Sequence, residues 1–540
     1  MLPGLTGLWT CLQGAVATVV AASAGWLGPR AFDWRTRVIV AAAVLLLVDP
    51  GLIATAQNRR PVGRPARDIT LYVSQYRDLK NKLQSELETL AKYCDEHDFA
   101  DDAQKIRQIT VPDDPRELRI RTLPSTVQPE LPGDLPAEER YWRTQLKYHT
   151  ASTAKQLYLL SRQALNAGHV ALAYELVHET ARLDPDHSPA RKILGFVRLG
   201  SEWVSPFAAS MLRKGRVWNK TYGWLPKDHV DRYKRGERFY NNGWISAAKE
   251  AEFRRDFSRA WEVRTDHYRI RTNHSLERGV EIATKLEDFH ALFFQILAGF
   301  FNTQEQARQL FEGTSRGVPV PEPLDVFYFK TRDEYIAFLK TKTDQQVEIT
   351  NGMFFPSTGI AYFFDDPEAV DPDSTIYHEA THQLLSGQRP QVDQVGLKSD
   401  FWVIEGIACY MESFHRDGER FSVGDPQHKR LISAQENLLQ ENYYVPLRQL
   451  AAMGMNDYQR SKNIRKNYSQ SAAQTHFFMH YEDGKYREAL VEYLSQIYST
   501  RALKVPPSPL SELTGIDSDE LDRQYRSYLA ELNTMPVASE

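Results

Sequence analysis

His378-Glu379-Ala380-Thr381-His382 reads H-E-x-x-H. On a helix, residues four apart lie one above the other on one face. Two imidazoles so placed can bind a single zinc ion, and the carboxylate beside the first can reach a water on that metal. Five residues thus supply two ligands, His378 and His382, and a general base, Glu379. The competing reading is a core helix with two hydrogen-bonded histidines and a surface glutamate. The flanks favour a helix: Ser374-Thr375 suit its start, Ile376, Ala380 and Leu384 form an apolar stripe, and Gly387 and Pro390 suit its end.

A zinc site needs a third protein ligand and an open position. Glu405 follows His382 by 23 positions, inside the apolar run Phe401-Trp402-Val403-Ile404-Glu405-Gly406-Ile407-Ala408. An unpaired carboxylate there is expensive, and a metal removes the expense. The alternative is a helix-start glutamate favoured by the macrodipole. Gly406 and Ala408 are small enough to let this helix approach the first closely. Glu412, two turns on, reads as a supporting partner. Asp400 reads as the helix cap, and Cys409 as a small buried side chain.

At Trp402-x-x-Glu405-Gly406-x-Ala408 the chain resembles the gluzincins, zinc metallopeptidases of the MA clan with H-E-x-x-H on one helix and Glu on a later one. The resemblance implies His378, His382 and Glu405 as ligands and Glu379 as base. No third histidine follows at metzincin spacing, and no glycine-rich exopeptidase motif precedes the helix, so an endopeptidase is expected. Gluzincins also use a downstream Tyr or His as oxyanion donor. Tyr468-Ser469-Gln470-Ser471-Ala472 resembles the downstream helix of bacterial gluzincin-like proteins, and a phenol stays protonated at neutral pH. Tyr468 is the choice, with His476, His480 and Tyr481 as rivals and an ordinary amphipathic tyrosine as the plain alternative.

The 540 residues carry a net charge of −4, 42% hydrophobic and 25% charged residues, which is globular material with no call for nucleic acid. The basic and aromatic stretch Arg213 to Arg235 reads as a solvated face of a small β-rich unit. With only three cysteines, no disulfide framework is expected. Residues 1–56 hold weakly apolar 13–27 and the run Val38–Val48, followed by Ala54-Thr55-Ala56. They read as a signal peptide cleaved after Ala56, or as a membrane anchor of two passes. Either implies export, and residues 57–68 are linker.

Residues 69–199 read as helical, with Leu79, Leu83, Leu87 and Leu90 in register and a loop at 111–136. A tetratricopeptide-like hairpin falls at about 153–195, and an isolated one must pack on its neighbours or bind a protein partner. Residues 200–260, rich in Trp and Gly, read as a β-containing connector. In 261–535, Val263 to Thr272 alternates like one strand. Strands at Leu324–Phe329 and Ile360–Phe364 and helices at 276–300 and Arg332–Leu339 follow, an order that resembles the mixed sheet of gluzincin-like domains.

The expected class is α+β, a zincin-like domain behind a mainly helical region. The expected function is an exported zinc peptidase acting on peptide or protein. The alternatives are a non-catalytic zinc-containing binding module and a membrane-anchored helical-repeat scaffold.

Overall fold

A computed structural model describes residues 69–532, apart from 112–113, 128–129, 315–321, 344–345, 388–394 and 500–504. The chain divides into residues 1–64 and residues 65–540, and the described residues all belong to the second unit. The signal-peptide or anchor segment, its linker and Pro390 lie outside the described residues. Among those described, no helix is long and apolar enough to cross a membrane. The architecture is mixed α and β.

The upstream part is built on α1 (Thr70–Glu96), α2 (Ala137–Ala167) and α3 (Val170–Leu183). Leu83, Leu87 and Leu90 of the expected stripe are buried, with Leu79 packed beside them. Gly168 ends α2 in the left-handed conformation (φ 105°), which lets the chain reverse into α3 within two residues. The region is not helical throughout. Leu118–Arg121, expected to be loop, is strand β1. Only Ile120 of its four side chains is buried, too weak an alternation to announce a strand.

Three hairpins follow, at Val197–Val204, Arg216–Pro226 and Glu237–Ser246, each with a short helix after it. Trp203, Trp224 and Trp244 occupy the same place in successive units, spaced 21 and 20 residues apart. Trp224 packs edge-on against Phe207 of the unit before and Trp218 of its own. The Trp/Gly texture is therefore a threefold repeat whose tryptophans mostly fill the seams.

The main sheet has β2 (Trp261–Arg264), β3 (Tyr268–Thr272), β4 (Leu324–Phe329), β5 (Gly352–Phe355) and β6 (Ile360–Phe364), in the order β5-β6-β4-β3-β2. The central pairs β6-β4 and β4-β3 are parallel, and both edges are antiparallel. The run expected as one strand is thus two, folded back at Thr265–His267. Glu287 fixes that reversal, accepting from the amide of His267 (2.7 Å) and pairing with its Nδ1 (2.6 Å). Glu287 belongs to α4 (Leu276–Ile296), whose apolar side packs on β2 and β3.

Downstream come α5 (Pro372–Gly387), α6 (Phe401–Met411), β7 (His415–Asp417), β8 (Arg420–Val423), α7 (Lys429–Leu439), α8 (Ile464–Gly484), α9 (Arg487–Ile497) and α10 (Ser518–Glu531). Every residue of α6 is buried. Gly406 meets α8 rather than α5. A Cβ there would lie 2.7 Å from the Ser471 carbonyl oxygen and 2.7 Å from Thr475 Oγ1.

β1 joins β8 and β7 in a second antiparallel sheet, order β1-β8-β7. His476 and His480 of α8 help hold the chain just before it. His476 Nε2 donates to the carbonyl of Gly424 (2.9 Å), with that of Arg116 at 3.1 Å, while Nδ1 accepts from the Tyr528 hydroxyl (2.8 Å). His480 accepts from Tyr410 (2.8 Å) and faces the Pro115 carbonyl (3.4 Å). Burial pushes His476 down to about 4 and His480 well below the ordinary histidine range, with Arg116 and Arg487 adding to the effect.

Two outcomes follow. Gly406→Ala lowers unfolding stability by about 1–3 kcal/mol, because α8 must give way; denaturant titration measures it, and an unchanged midpoint refutes the close approach. The neutral histidine pair contributes stability that is full above about pH 6.5 and is lost as pH falls toward 4. His476→Phe should therefore flatten the loss of stability across that window.

Candidate metal centre

Helix α5 begins at Pro372, so Ser374 and Thr375 lie inside its first turn instead of capping it. Ser374 Oγ donates to the carbonyl of Asp371 (3.1 Å). Proline at the first helical position forfeits only an amide that had no partner. Asp373 ties this end to α4 through Lys285 Nζ (2.8 Å). Gln383 anchors the other face to the sheet, donating to the carbonyls of Asp325 and Gly359 (both 2.8 Å). The helix is thereby fixed with His378 and His382 toward α6.

Asp400 precedes α6 but does not cap it with its side chain. Its backbone is left-handed (φ 63°), which Asp tolerates better than most residues. Its carboxylate instead accepts from the hydroxyls of Tyr493 and Ser399. One turn later Glu405 meets the histidines.

His378 Nε2 and His382 Nε2 lie 3.3 Å apart. Glu405 Oε2 is 3.5 Å from the first, and its Oε1 3.9 Å from the second. Ligands about 2.0–2.1 Å from a tetrahedral zinc sit roughly 3.3 Å from one another; the two nitrogens stand at that separation, and one ligand atom from each of the three residues lies within 4.8 Å of the others. The side chains are 11–17% exposed, which leaves an approach for a small molecule.

Glu412 sets the chemistry of this face. Its Oε1 lies 3.0 Å from His378 Nδ1. Arg430 of α7 grips the same carboxylate twice, Nε to Oε2 (2.9 Å) and Nη2 to Oε1 (2.8 Å). A carboxylate accepts only, so His378 donates from Nδ1 and, when neutral, turns the Nε2 lone pair toward His382 and Glu405. Burial pushes the Glu412 carboxyl up, but His378 and Arg430 outweigh it and hold it far below the usual carboxylate range. His378, Cys409 and Glu412 form a second grouping of ligand atoms. It is the poorer site, because Arg430 already occupies both oxygens of Glu412, and burial raises the Cys409 thiol and keeps it protonated.

Burial raises Glu405 as well, and His378, His382 and the Tyr468 hydroxyl together bring it below its ordinary value. Burial also lowers His378, but Cys409, Glu405 and Glu412 reverse this and raise it well above the ordinary imidazole value. A cation at Nε2 must then displace a well-held proton, so metal affinity falls as pH drops.

Glu379 stands apart from this cluster. Its Oε2 accepts from the amide of Phe354 (2.9 Å), on edge strand β5. Tyr468 lies near the site, and its hydroxyl is among the groups that favour the charged form of Glu405. Burial drives its phenol far above the ordinary value, so it remains a donor. The rivals lie elsewhere: His476 and His480 serve the β1 segment, and Tyr481 stacks on Tyr486. Sequence reasoning missed Arg430 and the Phe354 amide. Arg430 sits in an ordinary amphipathic helix, and a backbone amide leaves no trace in residue type.

Glu412→Ala should weaken zinc binding roughly ten- to hundredfold while the fold persists. Chelator competition measures this, and unchanged affinity would sink the orienting role. No family model and no curated protein matches this chain, so the site is read from its own geometry.

Proposed function

We propose that this chain is an exported zinc-dependent peptidase, an endopeptidase of gluzincin type, with an α+β, zincin-like catalytic half. The observation that carries this reading is the convergence of His378 Nε2, His382 Nε2 and the Glu405 carboxylate, with a second carboxylate, Glu379, fixed separately by an edge strand. A bound zinc supplies Lewis acidity toward a carbonyl and makes a water acidic near neutral pH. His378, His382 and Glu405 would hold it.

The protein's own residues have distinct tasks. Glu379 takes the proton of the attacking water and delivers it to the departing amine. The Phe354 amide keeps one oxygen of that carboxylate in place, and among the described residues the other has no hydrogen bond. Edge strand β5 offers unpaired backbone to an extended peptide beside the base. Tyr468, a buried phenol near Glu405, can offer its donor to an oxyanion when substrate enters.

Metal analysis of the full-length chain beside digestion of a mixed peptide library tests the proposal. Zinc at one equivalent with peptide turnover is expected. Glu379→Gln should retain zinc and lose turnover by at least a thousandfold, on the order of a general base's contribution. Glu405→Ala should lose zinc. Zinc without turnover would favour the binding module, a reading supported by the effect of the Tyr468 hydroxyl on Glu405. No stoichiometric zinc would remove both.

A further inference from the structure

The second of the three hairpins carries charge that the chain leaves unmatched. Residues 213–227 hold Arg213, Lys214, Arg216, Lys220 and Lys227 and no Asp or Glu, in a chain whose net charge is −4. All five are exposed. Among the described residues none of them forms an ion pair, not even with Asp228 next in sequence. The basic stretch that follows differs. Arg232 and Arg235 pair with Glu237, Lys234 with Asp231, and Arg238 with Glu250 and Glu277.

The fold gathers the unmatched charges instead of spreading them. Arg216 lies directly opposite Pro226 in the hairpin register, and the Lys227 amide donates to the Gly215 carbonyl (3.3 Å). The Lys227 backbone is thereby returned to residues 213–216 at the open end of the hairpin. Like charges so gathered repel one another.

Aromatic rings adjoin the cluster. Trp218 and Trp224 face each other across the hairpin, with ring centroids 5.7 Å apart, and Trp224 meets Phe207 of the helix Pro206–Arg213 (6.3 Å). Arg264, the last residue of β2, lies over that Phe207 ring (5.5 Å) and has no ion pair among the described residues either. Arg216 donates to the Trp224 carbonyl (3.5 Å). Phe207, Trp218 and Trp224 are half-buried, so part of each ring stays open to a partner.

These properties select a chemistry. Arginine and tryptophan are the side chains that most often anchor protein–protein contacts. The guanidinium fork matches a carboxylate through two parallel hydrogen bonds. A peptide stretch of acidic residues interspersed with apolar ones answers both the cations and the rings.

We infer that this surface docks an acidic segment of a partner protein, with carboxylates at Arg213, Lys214, Arg216 and Lys227 and apolar side chains against Phe207 and Trp224. The surface lies on other elements than the metal centre and does not rest on peptidase activity.

Fluorescence anisotropy tests it, with the full-length chain titrated into a fluorescein-labelled peptide of four Glu-Glu-Phe repeats and read on mixing. The comparison probes are the same peptide with Lys for Glu and an oligouridylate of equal negative charge. Saturable binding of the acidic peptide, none of the basic one and weaker binding of the oligouridylate are expected. Lys214→Glu/Lys227→Glu, at exposed positions that bury nothing, should weaken peptide binding by roughly tenfold or more. The same charge change at the exposed Lys92 of α1 and Lys147 of α2 should leave it unchanged. The inference is overturned by absence of saturable peptide binding, by oligouridylate binding as tight as the peptide's, by full affinity in the Lys214/Lys227 variant, or by an equal loss in the Lys92/Lys147 variant.

Discussion

The downstream half turns on the carboxylate of Glu412. It is 6% exposed and carries a full charge, which is tolerable only because Arg430 and His378 together use both its oxygens. Three elements are tied by that one group: α5 through His378, the end of α6 through Glu412 itself, and α7 through Arg430. The tie also selects the histidine tautomer. Hydrogen bonding at Nδ1 leaves Nε2 as the nitrogen that faces His382 and Glu405. Replacing any one of the three leaves a buried charge or donor unsatisfied, so the packing and the ligand geometry stand or fall together.

Burial of α6 on every side makes this arrangement stiff. Against α8, Gly406 comes close to Ser471 and Thr475 while Trp402 packs on Phe478. Glu405 is the residue immediately before that glycine. Its carboxylate is consequently positioned by a backbone-to-backbone approach and not by a flexible loop, which is how a ligand atom stays within a few tenths of an ångström of its place. The partly exposed sides of His378 and His382 are the open direction.

The meeting of His378, His382 and Glu405 was legible because two rules converge on it. Helical periodicity sets His378 against His382, and the cost of a lone carboxylate in an apolar run singles out Glu405. Each is a local property of residue type. Arg430 and the Phe354 amide were not legible, since their role depends on which surface α7 and β5 happen to face. The same limit explains the fold. Long apolar-periodic helices such as α1 and α4 could be read, as could strands β4 and β6. Strand β1 could not, because its stability comes from pairing with β8 and from carbonyls upstream that meet His476 and His480. The turn at Thr265–His267 was hidden by an uninterrupted alternation. The hairpin repeat was hidden because its copies share little beyond a Gly-Trp or Glu-Trp pair at matching places.

Strand β1 has a bearing on how the chain is made. Its partner β8 is translated about 300 residues later, which at 5–20 residues per second is a wait of roughly 15–60 s. During that interval Leu118–Arg121 has an unpaired edge and the helices around it lack one wall. The upstream half therefore leaves the ribosome as an unfinished body, closed only when residues near 420 and then α8 arrive. Pairing of such sequence separation is slow in any case, so the N-terminal helices, although they share a buried core, wait for the C-terminal half before β1 finds its partner.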